Sequence, residues 1–192
     1  MLRDLVRKNR SYRRFDETDR VTRSMLTEWI DIARFSPASV NIQPLKYALV
    51  TERSLCEKIF PLTAWAKALP NYAGPPAGHR PTGYILVCCD TDLAPNPDRF
   101  ARDVGIVAQT ILLAATEAGY GGCMIGAFQK DALAASLGLA ARYVPCLLLA
   151  LGKPDEPIVL EEAEDGDPVY YYRDSENVHH VPKRGLDQLI LS

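Results

Sequence analysis

Two continuous apolar runs constrain the fold of this chain more than any other feature. The first is YILVCC at Tyr84–Cys89, and the second is VPCLLLALG at Val144–Gly152. A strand with one face in water alternates apolar and polar side chains, so a strand without alternation is buried on both faces. Pro145 fits the second run, because proline is tolerated at the start of a strand. We therefore expect both runs to be strands inside a sheet.

Helical periodicity and turn residues predict the remaining elements. The longest helix is expected at Asp98–Gly119, where Gly119 serves as the C-terminal cap. Thr22 is a suitable N-cap for a helix at Val21–Phe35. Shorter elements complete the prediction: helices at Leu2–Lys8, Glu52–Phe60 and Lys130–Leu137, two helical turns within Leu62–Leu69, and a strand at Leu45–Thr51. No internal repeat or second domain is visible, so residues 1–192 are interpreted as a single domain.

The charge balance and the apolar content argue against several classes of protein. The net charge is −2 and the hydrophobic fraction is 47%, which does not suggest nucleic acid or a membrane surface as the main partner. No run approaches the roughly 18 apolar residues of a membrane-spanning helix. The N-terminal MLRDLVRKNR mixes charges throughout and lacks the apolar core of a signal peptide, so a cytoplasmic protein is expected.

The five cysteines do not form a metal-binding pattern. Their number is odd, no C-x-x-C pair is present, and most lie in apolar runs, where a free thiol behaves as a small hydrophobe. This argues against a disulfide framework or a zinc site, and no metal is predicted. Because the chain has three histidines, a catalytic Cys–His pair remains as the less favoured alternative to reduced structural cysteine.

The stretch ARFSPASVNIQP at Ala33–Pro44 breaks the second helix and leads into a strand. Pro37 ends the helix, because the residue before a proline is pushed out of the α region and the ring removes a hydrogen-bond donor. Ser39, Asn41 and Gln43 follow at alternate positions, on one side of an extended loop. Such a row suits a flat ligand with many acceptors. A plain connector whose Ser and Asn bond the local backbone fits the spacing equally well.

A dense basic segment, RSYRRF at Arg10–Phe15, follows the first helix. Strand alternation places Ser11 and Arg13 on one side of this segment and the other two arginines on the opposite side. Charge runs are usually solvated turns, and that interpretation stays open. The functional alternative is an anion site, because the arginine fork matches phosphate oxygens.

Three further stretches are less regular. Pro61–Gly83 is rich in proline and glycine and is interpreted as either a functional lid or a mobile segment. Gly121–Phe128 is a glycine-rich apolar run, which allows close approach of a ligand or of another strand. Pro154–Asp167 is acidic and is interpreted as a solvated linker.

Four motifs, in the same order and at compatible spacing, resemble the flavin-binding motifs of the nitroreductase family. They are RSYRRF at Arg10–Phe15, ARFSPASVNIQP at Ala33–Pro44, GYGGCMIGAF at Gly119–Phe128 and VPKRGL at Val181–Leu186. The resemblance spans nearly the whole chain. It implies an α+β fold with a central, mainly antiparallel sheet flanked by helices, in an intertwined homodimer with FMN at the subunit interface. It also implies ping-pong transfer of hydride from NADH or NADPH, via FMN, to an electron-poor small molecule such as a nitroaromatic or a quinone.

The resemblance also implies which residues bind the cofactor. Those that match the sites for the FMN phosphate and ribityl chain are Arg10, Ser11, Arg13, Lys183 and Arg184. Those that match the loop donated by the other subunit are Pro37, Ala38, Ser39, Asn41 and Gln43. Those that match the run near the far edge of the flavin ring are Met124, Ile125 and Gly126. The flavin carries the hydride chemistry, so no side chain is assigned as catalytic.

This chain departs from the family pattern at two positions. Ala38 stands where many members have serine, with Ser39 one place on, and Leu45 stands where many have an aromatic residue. The chain is also short for the family and has no long insertion for an elaborate lid, so the acceptor is not readable. Three alternatives stay open: a non-catalytic FMN-binding sensor or reservoir, a scaffold protein that has lost its flavin, and flavin fragmentation or reductive dehalogenation.

Overall fold

A five-stranded antiparallel sheet forms the centre of the molecule. The computed structural model describes residues 1–69 and 72–191 of the chain. The middle strands of the sheet are β3 (Gly83–Asp90) and β5 (Tyr143–Pro154). The strand β2 (Leu45–Val50) pairs with β3, whereas β4 (Gly121–Ile125) and the short β1 (Phe15–Asp16) pair with β5. Every one of these pairings is antiparallel, which confirms the expected central sheet.

The first apolar run is buried on both faces of this sheet, as predicted, and the second is buried on both faces from Leu148 onward. Every residue of β3 is buried, and so are Leu148–Leu151 of β5. One face packs against α2 (Arg23–Ala33) and α4 (Ala101–Glu117). The other face packs against α3 (Arg53–Ile59) and α5 (Lys130–Ser136). Each large apolar side chain buried in this way stabilises the fold by about 2 kcal/mol before the entropy cost of ordering it.

Five of the predicted helices occur at the expected places, and four of them are shorter than predicted. The first, α1, spans Leu2–Lys8. The Thr22 hydroxyl accepts a hydrogen bond from the Met25 N–H at 3.3 Å, so Thr22 is the N-cap of α2. The predicted Asp98–Gly119 helix begins as a 3-10 turn at Pro97–Phe100 before α4, and Gly119 follows α4 with φ +80°.

The two helical turns expected within Leu62–Leu69 are absent, so that prediction is wrong. Only Phe60–Leu62 forms a 3-10 turn, and Thr63 then forms an isolated bridge with Phe128. The left-handed backbone of Ala66 (φ 38°) is incompatible with a helix, and Trp65 is held by a 2.8 Å bond from its indole N–H to Thr63. In the wider Pro61–Gly83 segment, Pro70 and Asn71 lie outside the described residues, as does Ser192 at the end of the predicted domain.

The prediction of a solvated linker at Pro154–Asp167 is also wrong over part of its length, because the first strand of a second sheet lies within it. This sheet has the order β6 (Ile158–Ala163), β8 (His179–Arg184), β7 (Tyr172–Arg173). The pairing of β6 with β8 is parallel, and it joins segments that are far apart in the chain, so local composition cannot reveal it. The part from 164 to 170 is exposed, as expected of a solvated connection.

An ionic cluster joins the three strands of this second sheet. The Nδ1 of His180 lies 2.5 Å from Oε1 of Glu161, and its Nε2 lies 3.0 Å from Oδ2 of Asp174. The Tyr172 ring stacks on the imidazole at 4.7 Å. Because both ring nitrogens face carboxylates, hydrogen bonds that the protonated imidazole donates to Asp174 and Glu161 raise the pKa of His180.

This cluster should make stability depend on pH. A raised folded-state pKa adds stability that is fully present below the unfolded value of 6.5 and is lost as the pH rises through the folded value. We expect the difference in unfolding free energy between wild type and His180→Gln to be largest near about pH 6 and to shrink toward about pH 9. Denaturant titrations across this range measure it, and a difference that stays constant with pH contradicts the assignment.

None of the helices in the described ranges combines the length and the apolar content needed to cross a bilayer.

Candidate functional site

The basic segment lies directly against β4. Ser11 forms a parallel bridge with Gly122, and the Tyr12 N–H donates to the Gly122 carbonyl at 3.1 Å. A Cβ on Gly122 would lie 2.4 Å from the Ala150 carbonyl oxygen, and one on Gly121 would lie 2.5 Å from the Tyr12 ring. The glycine pair is therefore required, because it lets the basic segment and β5 approach β4 closely.

A cavity of about 360 Å³ opens between this segment, α4 and β8, and we call it the basic cavity. Five residues predicted to bind the cofactor line it: Arg10, Ser11, Arg13, Met124 and Lys183. Sequence reasoning missed the other lining residues: Asn9, Gln109, Leu112, Ile158, Tyr171, His179 and Val181. The lining contains three cationic side chains and no carboxylate, so the cavity attracts anions.

Arg13 is the most deeply buried of these cations, at 9% exposure. Its guanidinium lies over the Tyr171 ring at 4.7 Å, and its Nη1 lies 3.1 Å from Nε2 of His179. Among the described residues, no carboxylate lies within 4.0 Å of this guanidinium. A buried charge without a counter-ion is costly, so the site favours an anion beside Arg13.

His179 is buried beside Arg13 and stays uncharged at neutral pH. Burial, together with the charges of Arg13, Arg173 and His180, lowers the pKa of His179 to about 4. Its Nε2 accepts the Arg13 N–H, which assigns the proton to Nδ1. A neutral imidazole therefore supports the Arg13 guanidinium without adding a second positive charge.

Strand alternation explains why neighbours in the predicted motifs separate. His179 and Lys183 lie on the face of β8 that lines the basic cavity, whereas Arg184 is exposed and does not line it. On β4, Met124 lines the cavity, whereas Ile125 is buried in the core at 3% exposure. In a strand that contains Lys183, alternation predicts that the side chains of Val181 and His179, two and four residues earlier, lie on the same face. This pattern could have identified both residues from the sequence. Gly126, beyond the end of β4, is exposed, and a Cβ added to it would meet nothing within 4 Å.

The loop formed by residues 37–43, which we call the Ser39 loop, lies apart from the basic cavity within one chain. Pro37, Ala38 and Gln43 line a separate pocket of about 210 Å³. Ser39 lines a third and larger cavity of about 820 Å³, whose wall includes the start of α4. Asn41 is exposed, and its side-chain oxygen accepts a bond from the Gln43 amide at 2.9 Å. Within one chain, the predicted cofactor residues of this loop are therefore separate from those that line the basic cavity.

The Ser39 loop is fixed in an unusual conformation. Val40, Asn41 and Gln43 have φ values of 45°, 56° and 53°, in the left-handed region that non-glycine residues rarely adopt. The buried Asp103 of α4 holds the loop in place, because it accepts the Ser39 N–H at 2.8 Å and its hydroxyl at 2.6 Å. Backbone strain of this kind concentrates at ligand sites, which favours the ligand-loop interpretation over a plain connector.

The thiols do not offer a nucleophile. Burial raises the pKa of all five cysteines, for example to about 11 for Cys56, so each thiol stays protonated at neutral pH. All five are free, and four are buried. This agrees with reduced structural cysteine rather than a Cys–His pair.

The comparisons with known proteins agree with this architecture. A nitroreductase of Exiguobacterium sibiricum solved in complex with FMN is 21% identical, with a TM-score of 0.65 over 88% of this chain and 91% of that chain. A nitroreductase family protein of Streptococcus pneumoniae has a TM-score of 0.71 at 21% identity, over 100% of both chains. In sequence, the Bacillus subtilis protein YodC, named for NAD(P)H nitroreductase activity, is 24% identical over 80% of this chain and 90% of its own length.

A relative from Methanothermobacter thermautotrophicus, named for NADH dehydrogenase or NAD(P)H nitroreductase activity, is 25% identical over 174 residues, or 87% of this chain and 84% of that protein. The model of the nitroreductase family matches residues 6–77 and 90–153, which is more than half of the chain. With this match, and with the central sheet and helices described above, the chain belongs to the nitroreductase family.

Proposed function

We propose that this protein is an FMN-dependent oxidoreductase, which takes hydride from NADH or NADPH and passes it to an electron-poor acceptor such as a nitroaromatic or a quinone. The observation that carries the proposal is the buried Arg13 guanidinium, which has no carboxylate partner in the described part of the chain and lines a cavity with two further cations. A phosphate monoester carries close to two negative charges near neutral pH, so it suits this cavity.

The residues of the basic cavity fit FMN by their chemistry. Arg10, Arg13 and Lys183 would neutralise the phosphate through charge-assisted hydrogen bonds, and the Ser11 hydroxyl would add a neutral donor. Met124 would contact the apolar part of the cofactor. When bound, FMN supplies the hydride chemistry, while the protein supplies binding, orientation and exclusion of water. No side chain is needed as a nucleophile.

We propose further that the Ser39 loop completes the FMN site of a partner subunit in a homodimer. Within one chain the loop does not reach the basic cavity. It lies among apolar side chains that a single chain leaves exposed: Ile32, Phe35, Val40, Ile42 and Ile106, at 44%, 71%, 86%, 42% and 42%. Clustered exposed apolar residues mark protein interfaces, so a second copy of the chain would bury them.

The test is to purify the protein, record its visible spectrum, and follow bleaching by NADH and by NADPH without oxygen. We expect a yellow protein that one of the two donors bleaches, and steady oxidation of that donor when a quinone or a nitroaromatic is added. A yellow protein that is never bleached supports a non-catalytic flavin carrier instead. A colourless protein that does not bind added FMN overturns the proposal.

A further inference from the structure

We propose that Glu156 and Arg173, neither of which lines the basic cavity, act as a positioning pair that keeps Arg13 available to an anion. In this inference, Glu156 fixes the backbone at Arg13, and Arg173 occupies the Glu156 carboxylate so that it does not neutralise the Arg13 guanidinium. The inference rests on the proposed function, because it explains how the cavity stays cationic enough to hold a phosphate.

Glu156 is a buried carboxylate with both oxygens occupied. Its side chain is 1% exposed, although the surrounding sequence is acidic and reads as solvated. Oε1 accepts the backbone N–H groups of Arg13 and Arg14, the latter at 3.1 Å. Oε2 accepts from Nη2 of Arg173 in an ion pair. A carboxylate with this set of donors is satisfied in place, and each of its oxygens is already hydrogen-bonded.

Arg173 is also linked to the backbone of Arg13 through Tyr72. Its side chain is 12% exposed, and its guanidinium lies 5.4 Å from the centre of the Tyr72 ring. The Tyr72 hydroxyl donates to the Arg13 carbonyl at 3.0 Å. The N–H and the C=O of Arg13 are therefore both held by side chains that contact Arg173. This arrangement fixes the backbone from which the Arg13 guanidinium extends into the basic cavity.

The Glu156–Arg173 pair has an electrostatic role in addition to fixing the backbone of Arg13. Without Arg173, the Glu156 carboxylate would be a buried, unpaired charge attached to the backbone of Arg13. It would repel an anion in the cavity and attract the Arg13 guanidinium. Arg173 cancels this charge without lining the cavity itself. The net charge presented to a ligand then comes from Arg10, Arg13 and Lys183.

The test compares binding of FMN and of riboflavin, which lacks the phosphate, to flavin-free protein by quenching of flavin fluorescence. We expect Arg173→Gln to weaken FMN binding about tenfold or more and to change riboflavin binding much less. Arg173→Lys keeps the charge and should stay close to wild type. The double variant Glu156→Gln with Arg173→Gln removes the uncompensated charge, while the glutamine oxygen can still accept a backbone N–H. It should therefore recover most of the FMN affinity.

Recovery in the double variant separates the proposal from a purely structural role, because two structural losses would add. A double variant no better than Arg173→Gln, or an equal loss of FMN and riboflavin, overturns the proposal. If Arg173→Gln does not fold, the proposal requires that the double variant folds and keeps its preference for FMN, and loss of that preference overturns it.

Two further measurements complete the design. Arg142→Gln, which breaks an exposed pair with Asp92 away from the cavity, is the matched control and should leave both affinities unchanged. Wild-type protein that binds no FMN overturns the proposed function itself, whereas wild type that binds FMN as tightly as Arg173→Gln overturns only this inference.

Discussion

Arg13→Gln is expected to weaken FMN binding about a hundredfold, the largest effect on the cofactor that we expect from one side chain. A hydrogen bond to a charged group contributes about 1.5–3 kcal/mol, and a hundredfold change in affinity corresponds to about 2.8 kcal/mol. Arg13 is nine-tenths buried, and no carboxylate of the described residues shares its charge, so water and protein groups screen it little. The measurement is the dissociation constant of FMN for flavin-free protein.

Arg14→Gln is the matched control for this prediction. Arg14 is the next residue in the chain and carries the same charge, but it does not line the basic cavity. Its replacement should change FMN affinity by no more than about threefold, as for a partly exposed charge. Riboflavin binding should be similar in wild type and Arg13→Gln. If Arg14→Gln loses as much affinity as Arg13→Gln, or if riboflavin binding falls as far as FMN binding, the phosphate is not held by Arg13.

The parts of the fold that could be predicted from sequence are those that local patterns determine. The runs in β3 and β5 lack alternation because both faces of the sheet are covered, and burial of this kind is visible in the sequence itself. Thr22 and Pro37 mark the ends of α2 by local chemistry. The basic segment was visible for the same reason, since its arginines lie within a few residues of each other.

The parts that could not be predicted depend on contacts between distant segments. Glu156 lies 143 positions from Arg13, and nothing in the acidic composition around it indicates that the backbone of Arg13 needs an acceptor. His179 lies 166 positions from Arg13, and its lowered pKa comes first from burial and then from the charges of Arg13 and Arg173. Pairing of β6 with β8 brings these groups to one place, and parallel pairing across a long connection leaves no local signal.

The separation of the Ser39 loop from the basic cavity has a physical reason too. The motif at Ala33–Pro44 joins α2 to β2, whereas the basic segment runs beside β4 and β5. A linear motif list does not record that these places are separate within one chain. A site assembled from both would therefore be complete only when a second chain contributes its Ser39 loop. In the proposed dimer, dilution that separates the subunits should then release flavin.

Gly122→Ala is expected to destabilise the fold by about 3 kcal/mol, the largest stability effect that we expect from adding one methyl group. The new Cβ would lie 2.4 Å from the Ala150 carbonyl oxygen and 2.8 Å from methyl carbons of Leu112 and Leu151. The leucine side chains can adopt other rotamers, but the Ala150 carbonyl belongs to the backbone of β5, which pairs with β4. Relief therefore requires β4 to shift away from β5, against a close-packed core.

The same shift would disturb the proposed cofactor site, because the Gly122 carbonyl accepts the Tyr12 N–H and so positions the basic segment. Thermal unfolding of flavin-free protein measures the effect, and the melting temperature should fall by about 10 °C for a chain of this size. Gly126→Ala is the control, since its Cβ would meet nothing within 4 Å, and it should unfold within a degree or two of wild type. Equal melting temperatures for the two variants would mean that the basic segment does not depend on close approach at Gly122.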